Sequence, residues 1–401
     1  MTAAQGGEGR RRAAQGLALL TLATVACGHP RPVPPITDQQ QSYGRFEPVV
    51  SYLQSQVDSA FPGAVVAVGY RDSVVLLAAV GHYGADDRRP VTTETVYDLA
   101  SLTKVIGLTT AAMLLVDSGK LDLDAPVQRY VPAFQGPNKE RVMIRHLLTH
   151  SSGLPAWRPL YAESADREHA LALVDTTPLM RQPGDTFVYS DLGAMVLAQA
   201  VQAVSGQRLD DFLAARLFGP LGMTSTRYLP PESWRSRIAP TENDTVFRHR
   251  LLRGEVHDEN AGRLGGVSGH AGLFSTAPDL ARFAQWLLDT RRGHAPPFAA
   301  LRRLSPPLVQ MFTQRQNIPP GSSRALGWDT PSENSSAGTQ MGPNAFGHTG
   351  FTGTSIWFDP DRDLFIILLT NRVNPTRANT RIFQVRRRVA DLVNDALTPP
   401  Q

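Results

Sequence analysis

The sequence predicts an α+β fold: one antiparallel β-sheet built from both chain ends, flanked by helices, with a mostly helical insertion between them. Two β-rich runs at residues 64–70 and 73–80 are separated by only two polar residues, which is typical of a hairpin. Two more, at 353–358 and 364–370, lie near the other end of the chain. The residues between these pairs have mostly helical patterns. Strands at both ends and helices in the middle favour one sheet with a helical insertion.

Length and composition are those of an ordinary globular protein. The chain has 401 residues, of which 42% are hydrophobic and 19% charged, and this is enough for a large core. The net charge is +4, but the basic residues are scattered and are not interleaved with aromatic residues. Nucleic-acid binding is therefore not predicted.

The N-terminal 26 residues have the form of a secretory signal peptide. Arg10-Arg11-Arg12 precede an uncharged apolar run at 13–26, and this run is too short to be a comfortable membrane span. Cleavage after Ala26 would expose Cys27, the only cysteine, in a pattern that resembles a bacterial lipoprotein signal. The alternative is an ordinary cleaved signal with an incidental cysteine. We expect an exported chain in the periplasm or cell envelope, with a lipidated Cys27 as its membrane attachment.

The remaining elements follow in chain order. Residues 27–42 are rich in Pro and Gln and predict a tether without a core of its own. Residues 43–398 are expected to form the folded domain, with a helical subdomain at about 120–290. Apolar periodicity and end signals predict helices at 46–61, 144–149, 192–204, 209–217, 278–288 and 377–397.

The first chemical motif is Ser101-Leu102-Thr103-Lys104, which lies at the start of an apolar run. Residues three apart share a helix face, so the Ser101 hydroxyl would lie beside the Lys104 amine. A serine becomes a useful nucleophile only beside a group that takes its proton or stabilises its alkoxide. Arginine could not take that proton because it stays protonated, and the chain has only three lysines. Ser101 and Lys104 are therefore the predicted nucleophile and its partner.

Two further motifs follow in order, Tyr189-Ser190-Asp191 and His348-Thr349-Gly350. Together with Ser101-x-x-Lys104 they resemble the serine β-lactamase and penicillin-binding-protein superfamily, in particular its class C β-lactamase-related branch. That branch includes D-alanyl-D-alanine carboxypeptidases, β-lactamases and esterases. Two further stretches, at residues 119–127 and 145–155, support this resemblance. The segments 257–261 and 265–276 resemble those of proteins related to penicillin-binding protein 4B. The resemblance covers about residues 45–395.

The resemblance implies a two-step acyl transfer through Ser101. Lys104 and the Tyr189 phenol would move the serine proton; which of them is the base stays open, and at least one of the two pKa values is expected to be lowered. The backbone N–H groups of Ser101 and Phe351 would bind the oxyanion. His348, Thr349 and Gly350 would line the cleft and bind substrate, together with Asp191.

Two positions depart from the β-lactamase pattern. Asp191 stands where that family usually has Asn, and His348 stands where it has Lys. His348 keeps a hydrogen-bond donor but lacks the fixed cation that would bind the carboxylate of a β-lactam. Asp191 would favour a substrate that carries a cationic amine, such as a peptidoglycan stem peptide. Both changes favour peptides or esters over antibiotics.

The predicted function is therefore an exported serine hydrolase, a D-alanyl-D-alanine carboxypeptidase-like peptidase on cell-wall peptides. The alternatives are an esterase on small acyl esters, a weak β-lactamase, and a non-catalytic module that binds cell-wall ligand. No cofactor or metal is predicted. His146 and His150 are spaced like metal ligands but are assigned to structure. The set His257, Asp258, Glu259 and His270 could form a metal or substrate site or a loop-stabilising network, and that choice stays open.

Overall fold

The computed structural model describes residues 43–294, 304–333 and 335–398. The predicted signal peptide, the whole predicted tether and Cys27 lie outside these residues. The strands are β1 Gly63–Tyr70, β2 Ser73–Gly84, β3 Asp87–Pro90, β4 Tyr97–Asp98, β5 Arg227–Tyr228, β6 Asn243–Asp244, β7 Arg250–Leu251, β8 Leu273–Ser275, β9 Phe346–Thr349, β10 Ser355–Asp359 and β11 Leu364–Thr370.

The α-helices are α1 Glu47–Ser55, α2 Thr110–Asp117, α3 Ile144–Leu148, α4 Leu160–Glu163, α5 Arg167–Thr176, α6 Asp191–Ser205, α7 Leu209–Leu213, α8 Glu259–Arg263, α9 Ala277–Arg292, α10 Pro306–Thr313 and α11 Ile382–Leu397. π-Helical segments at Lys104–Thr109 and Ala214–Phe218 lead into α2 and extend α7. Short 3₁₀ turns lie at Gly44–Phe46, Val127–Arg129, Lys139–Arg141 and Glu232–Arg237. Within the described ranges, no helix has the length and apolar character needed to span a bilayer.

The main sheet is antiparallel and has the strand order β3-β2-β1-β11-β10-β9. Strands from the two chain ends meet at its centre, where β1 pairs with β11 from Ala64 opposite Thr370 to Tyr70 opposite Leu364. The predicted fold class is confirmed. β9 is the last strand of this sheet on one side, and Gly347 on its outer edge forms a bridge with Asp329.

Both faces of the sheet are covered. In β1, Val66 and Val68 pack in a cluster with α1 and α11, whereas Val65 and Ala67 point into the large core formed by the helices of the insertion. This alternation is the two-residue period of a strand. Every position of β11 is buried, as expected of a central strand covered on both faces. The sheet is therefore a rigid support for the loops at its edges.

Several element limits differ from the predictions. The first helix ends at Ser55, because Asp58 takes a left-handed conformation (φ 62°) and its N–H bonds to the carbonyl of Phe61. Phe61 stays buried, which explains the continued apolar pattern. The last helix begins at Ile382 rather than at Arg377, whose N–H donates to the Glu242 carboxylate. The domain and subdomain limits stay predictions.

Candidate active site

The predicted nucleophile lies in a tight turn at residues 98–101, directly after β4. Ala100 has a left-handed backbone (φ 46°), which is uncommon for a residue other than glycine and is a form of local strain found at functional sites. The buried Asp98 carboxylate accepts hydrogen bonds from the N–H of Ala100 (2.8 Å) and of His257 (2.7 Å). Burial raises the pKa of Asp98. The turn presents Ser101, which stays partly exposed, towards Lys104.

The Lys104 side chain is buried and is saturated with partners. Its Nζ lies 2.9 Å from Ser101 Oγ, 3.1 Å from the carbonyl oxygen of His270 and 2.7 Å from a carboxylate oxygen of Asp191. Only 3% of the residue is exposed. The Ser101–Lys104 contact expected from the three-residue spacing is present.

The pKa of Lys104 is raised above its ordinary value. Burial is the largest single influence and lowers the pKa, but the Asp191 carboxylate and the Tyr189 phenol together raise it by more. Lys104 is therefore an ammonium at neutral pH. The expectation of a lowered pKa in the Lys104–Tyr189 pair is not met by Lys104, because Asp191 serves as its counterion. No local pattern in the sequence predicts that pairing.

Tyr189 lies between two histidines and beneath a cation. Its ring centroid is 4.4 Å from that of His150 and 5.8 Å from that of His348, and Lys104 Nζ is 4.9 Å from it. Among the described residues, the buried phenol oxygen has no hydrogen-bond partner of good geometry. Burial holds the pKa of His150 well below its ordinary value, and its Nδ1 accepts the N–H of Ser190 at 3.1 Å. The tyrosine is thus fixed by neutral rings, with its hydroxyl left available.

Asp191 is the first residue of α6, where Ser190 caps the helix by accepting the N–H of Gly193 at 3.1 Å. Its side chain is 20% exposed and pairs with Lys104. The sequence analysis assigned Asp191 to the substrate. The structure places the carboxylate on the lysine, with one edge still open to solvent.

The opposite side of the site is formed by β9, the edge strand that the sequence analysis did not resolve. His348 and Thr349 end this strand, and Gly350 follows it. A Cβ at Gly350 would overlap the carbonyl oxygen of Leu99 and the hydroxyl of Thr354, so only glycine allows this approach. Gly350 therefore packs directly against the 98–101 turn.

His348 differs from the expectation that it offers a donor to the substrate. Its Nδ1 lies 2.8 Å from the carbonyl oxygen of Thr349, which requires a proton on Nδ1. Burial, and then the charges of Arg324 and Lys104, hold its pKa well below the ordinary value, so the ring is neutral. The buried Nε2 is then an acceptor, and among the described residues it has no partner.

Two backbone N–H groups complete the predicted site. Residues 350–354 form a loop, called here the 350–354 loop. It is joined to the 98–101 turn by hydrogen bonds from Thr352 Oγ1 to the Asp98 carbonyl (2.7 Å) and from Thr354 Oγ1 to the Leu99 carbonyl (2.9 Å). In the part of the chain that the structure describes, the N–H groups of Ser101 and Phe351 have no acceptor. These bonds hold the loop that carries Phe351 against the turn that carries Ser101.

The histidines and acids left open by the sequence form hydrogen-bonded pairs. His257 lies 2.8 Å from Glu242, His270 lies 2.8 Å from Asp258, and Glu259 pairs with Arg377 at 2.7 Å. None of the groups among residues 43–294, 304–333 and 335–398 has the arrangement of a metal site. This network holds the segment whose His270 carbonyl accepts a hydrogen bond from Lys104.

His146, which the sequence analysis assigned to structure, makes a structural contact: its Nδ1 accepts the N–H of Met143.

Comparison with known proteins identifies the family. Residues 49–391 match the family model described as "Beta-lactamase". The chain belongs to the beta-lactamase family. Membership of this family makes it a serine hydrolase, in agreement with the sequence prediction.

Curated relatives of this beta-lactamase family member are bacterial. A protein of Salmonella schwarzengrund (strain CVM19633) is 31% identical over 368 residues, which are 82% of this chain and 83% of the relative. It is named "Putative D-alanyl-D-alanine carboxypeptidase", as is a protein of Salmonella typhimurium (strain LT2) that is 31% identical over 370 residues.

Solved structures share the fold of this family member at lower identity. A class C beta-lactamase matches with a TM-score of 0.69 and 20% identity, covering 89% of this chain and 96% of its own. EstCE1, described as a hydrolase with promiscuous acyltransferase activity, matches with a TM-score of 0.68 and 23% identity over 86% of this chain and 98% of its own. A penicillin-binding protein homolog from Caulobacter crescentus matches with a TM-score of 0.69 and 19% identity, over 88% and 98%.

The sequence analysis missed one charged side chain at the site of this family member. Arg324 lies with its Cζ 4.9 Å from the ring centroid of Phe187 and 5.4 Å from that of Tyr189. Its buried Nε and Nη1 have no hydrogen-bond partner among the described residues, although Asp329 lies 3.7 Å away as an ion pair. Arg324 stands in a long polar loop without periodicity, so no pattern marks it.

Proposed function

We propose that this serine hydrolase is an exported D-alanyl-D-alanine carboxypeptidase-like peptidase that acts on cell-wall peptides through an acyl-enzyme on Ser101. The observation that carries the proposal is the 2.9 Å contact between Ser101 Oγ and the buried Lys104 ammonium, because it gives one serine a permanent positive neighbour. The relatives' shared name supports the choice of peptide over ester.

The proposed chemistry is two acyl transfers. Ser101 Oγ attacks the carbonyl carbon between the last two residues of the peptide, and the C–N bond then breaks. The serine proton ends on the departing amine, and the acyl group stays on Ser101 as an ester. Water then adds to this ester, and the C–O bond to Ser101 breaks, which regenerates the hydroxyl and releases a carboxylic acid.

Lys104 already carries three protons, so it cannot accept the serine proton in its resting state. We assign that step to the Tyr189 hydroxyl as a proton relay: its oxygen accepts the serine proton while its own O–H proton passes to the leaving nitrogen. The Lys104 ammonium stabilises the developing alkoxide. Asp191 keeps the lysine in this charged form. This division of roles chooses between the alternatives that the residue types alone left open.

The substrate class follows from Arg324. A carboxypeptidase needs a cation for the terminal carboxylate, and the neutral His348 does not provide one. Arg324 lies beside Tyr189, and two of its nitrogens have no hydrogen-bond partner among the described residues. A guanidinium is suited to bind a carboxylate through paired donors. The esterase alternative is favoured by the same neutral His348, because a simple ester offers no carboxylate to bind.

Replacing Arg324 tests this assignment. Arg324→Gln should raise the KM for an N-acylated peptide ending in D-Ala-D-Ala by roughly 10- to 100-fold, as expected for a lost charge-assisted hydrogen bond. Hydrolysis of p-nitrophenyl acetate, which lacks a carboxylate, should change little. Arg181→Gln, an exposed arginine, is the matched control.

A steady-state panel of the peptide, the ester and nitrocefin ranks the candidate substrates. The peptidase proposal requires the peptide to have the highest kcat/KM. A wild-type enzyme that cleaves the ester but leaves the peptide intact would establish the esterase alternative. No turnover or acylation with any of the three would support the non-catalytic module.

Export and lipid attachment of Cys27 are part of the same proposal. They rest on the basic segment, the apolar run and the single cysteine at the start of the chain. Mass spectrometry of the mature N-terminus from a membrane fraction should find a diacylglyceryl group on Cys27. A mature N-terminus at another residue in a water-soluble fraction would rule out the anchor.

A further inference from the structure

Two buried arginines hold the carbonyl groups of the 350–354 loop. Arg386, on α11, donates from Nη2 to the carbonyl oxygens of Gly350 (2.6 Å) and Thr354 (2.8 Å). Arg372 donates from Nε to the carbonyl oxygen of Phe351 (2.7 Å), and its Cζ lies 4.4 Å from the Phe351 ring centroid. The two residues are only 5% and 4% exposed.

Neither arginine pairs with a carboxylate in the described part of the chain. Arg372 donates its other hydrogen bonds to the carbonyls of Arg377 and Asn379, and Nε of Arg386 has no hydrogen-bond partner among the residues that the structure describes. A buried cation without a counterion costs free energy, because neutral carbonyls replace its hydration poorly. Burial accordingly lowers the pKa of Arg386 to about 9. Stability alone does not account for a charge at this position.

The geometry of the peptide unit between Gly350 and Phe351 suggests a role for the Arg386 charge. The carbonyl of Gly350 and the N–H of Phe351 belong to the same planar trans peptide, and they point in opposite directions. Arg386 binds the carbonyl end, so the N–H end points away from it. A cation at the carbonyl oxygen also polarises the peptide and makes its N–H a stronger donor.

We propose that Arg386 is a positioning residue for the oxyanion step. It fixes the Gly350–Phe351 peptide so that the Phe351 N–H faces the carbonyl oxygen of the substrate, and it strengthens that donor. Arg372 supports it by fixing the next peptide unit and the Phe351 ring. This inference rests on the oxyanion role that the proposed function gives to Phe351, but it holds equally for a peptide or an ester substrate.

The test combines kinetics with the amide signal of Phe351 in protein labelled with ¹⁵N-phenylalanine. A boronic acid that forms a tetrahedral adduct with Ser101 should move the Phe351 amide proton downfield in the wild type. In Arg386→Gln, that shift should shrink, and kcat for p-nitrophenyl acetate should fall by roughly 10- to 100-fold with KM within about twofold. Arg386→Lys, which keeps the charge, should recover part of both.

Arg388→Gln, an exposed arginine on the same helix, is the control and should match the wild type. Thermal melting and circular dichroism of each variant show whether it is folded; if Arg386→Gln unfolds, the comparison is made with Arg386→Lys, whose kcat should lie below that of the wild type. Unchanged kcat and an unchanged amide shift in the folded variant would overturn the role of Arg386. If the Phe351 amide proton of the wild type does not shift when the boronic acid binds, both the role of Arg386 and the oxyanion assignment are overturned. The proposed function would still stand in that case if Ser101 is acylated by substrate.

Discussion

The two sides of the active site both hold buried cations, but they balance them differently. On the side of Ser101, Lys104 has a carboxylate partner in Asp191 at 2.7 Å, and this pairing raises its pKa. On the side of the 350–354 loop, Arg372 and Arg386 are held by carbonyl oxygens, and burial lowers their pKa values. Lys104 keeps its charge because the Asp191 carboxylate compensates it. Arg372 and Arg386 keep theirs at neutral pH without a carboxylate partner among the described residues, because arginine has a high ordinary pKa.

This difference separates two tasks. Lys104 lies beside the nucleophile, where protons move during the reaction, and its charge state depends on the neighbouring Asp191 carboxylate. A group that holds a backbone donor must stay charged at neutral pH, and arginine does so even when burial lowers its pKa. Changes on the first side should therefore alter pH dependence, whereas changes on the second should alter kcat.

The largest effect is expected from Lys104→Met. Loss of the ammonium removes the positive neighbour of the serine oxygen, so kcat/KM should fall on the order of 10³-fold. Steady-state hydrolysis of the preferred substrate measures this. Lys120→Met, at an exposed lysine, is the matched control and should keep wild-type activity.

Lys104→Met leaves Asp191 without its partner, so a loss of folding could imitate a loss of chemistry. The double variant Lys104→Met/Asp191→Asn removes both charges and should melt at a higher temperature than the single variant while remaining inactive. Wild-type turnover in either folded variant would show that Lys104 has no chemical role.

A smaller effect is expected at Gly350, on the opposite side. The new Cβ of Gly350→Ala would meet the Leu99 carbonyl oxygen and must push the 350–354 loop away from the 98–101 turn. A displacement of about 1 Å in a catalytic group can cost about 100-fold in rate, so we expect kcat to fall by roughly that factor. Gly193→Ala is the control, since its Cβ would find only ordinary contacts at 3.7 Å. Equal kcat values in both variants would refute the close-approach argument.

Asp191→Asn should give the smallest change in rate and the clearest change in pH dependence. Without the carboxylate, burial becomes the dominant influence, and the pKa of Lys104 falls. If the ammonium is the working form, activity is lost as pH rises through this pKa, so the alkaline limb of the kcat/KM profile should move to lower pH. An acidic limb that moves to lower pH, with more activity at neutral pH, would instead make neutral Lys104 the base.

Short-range patterns explain what could be predicted from the sequence. Hairpin strands and amphipathic helices have local periods, so the central strands and most of the long helices were assigned correctly. The Ser101–Lys104 contact follows from three-residue spacing on one helix face, and the family resemblance located Tyr189 and the motif His348-Thr349-Gly350. The edge strand β9 was missed because its four residues have no clear alternation.

Long-range contacts explain the remainder. Asp191 meets Lys104, and Arg386 meets Gly350, across separations that no local pattern encodes. Arg324 lies in a loop whose path is set by its bridge to Asp329 and by the bridge of Asp329 to β9. The pKa directions depend on these meetings, so they too required the structure.

The most direct test is to incubate the protein with a fluorescent penicillin and to locate the label by peptide mass spectrometry. An acyl-enzyme mechanism predicts one covalent label on the peptide that contains Ser101, and no label in Ser101→Ala. A folded wild-type protein that takes no label, and that also shows no acylation by its best ester or peptide substrate, would contradict it. A label on another residue that persists in Ser101→Ala would contradict it as well.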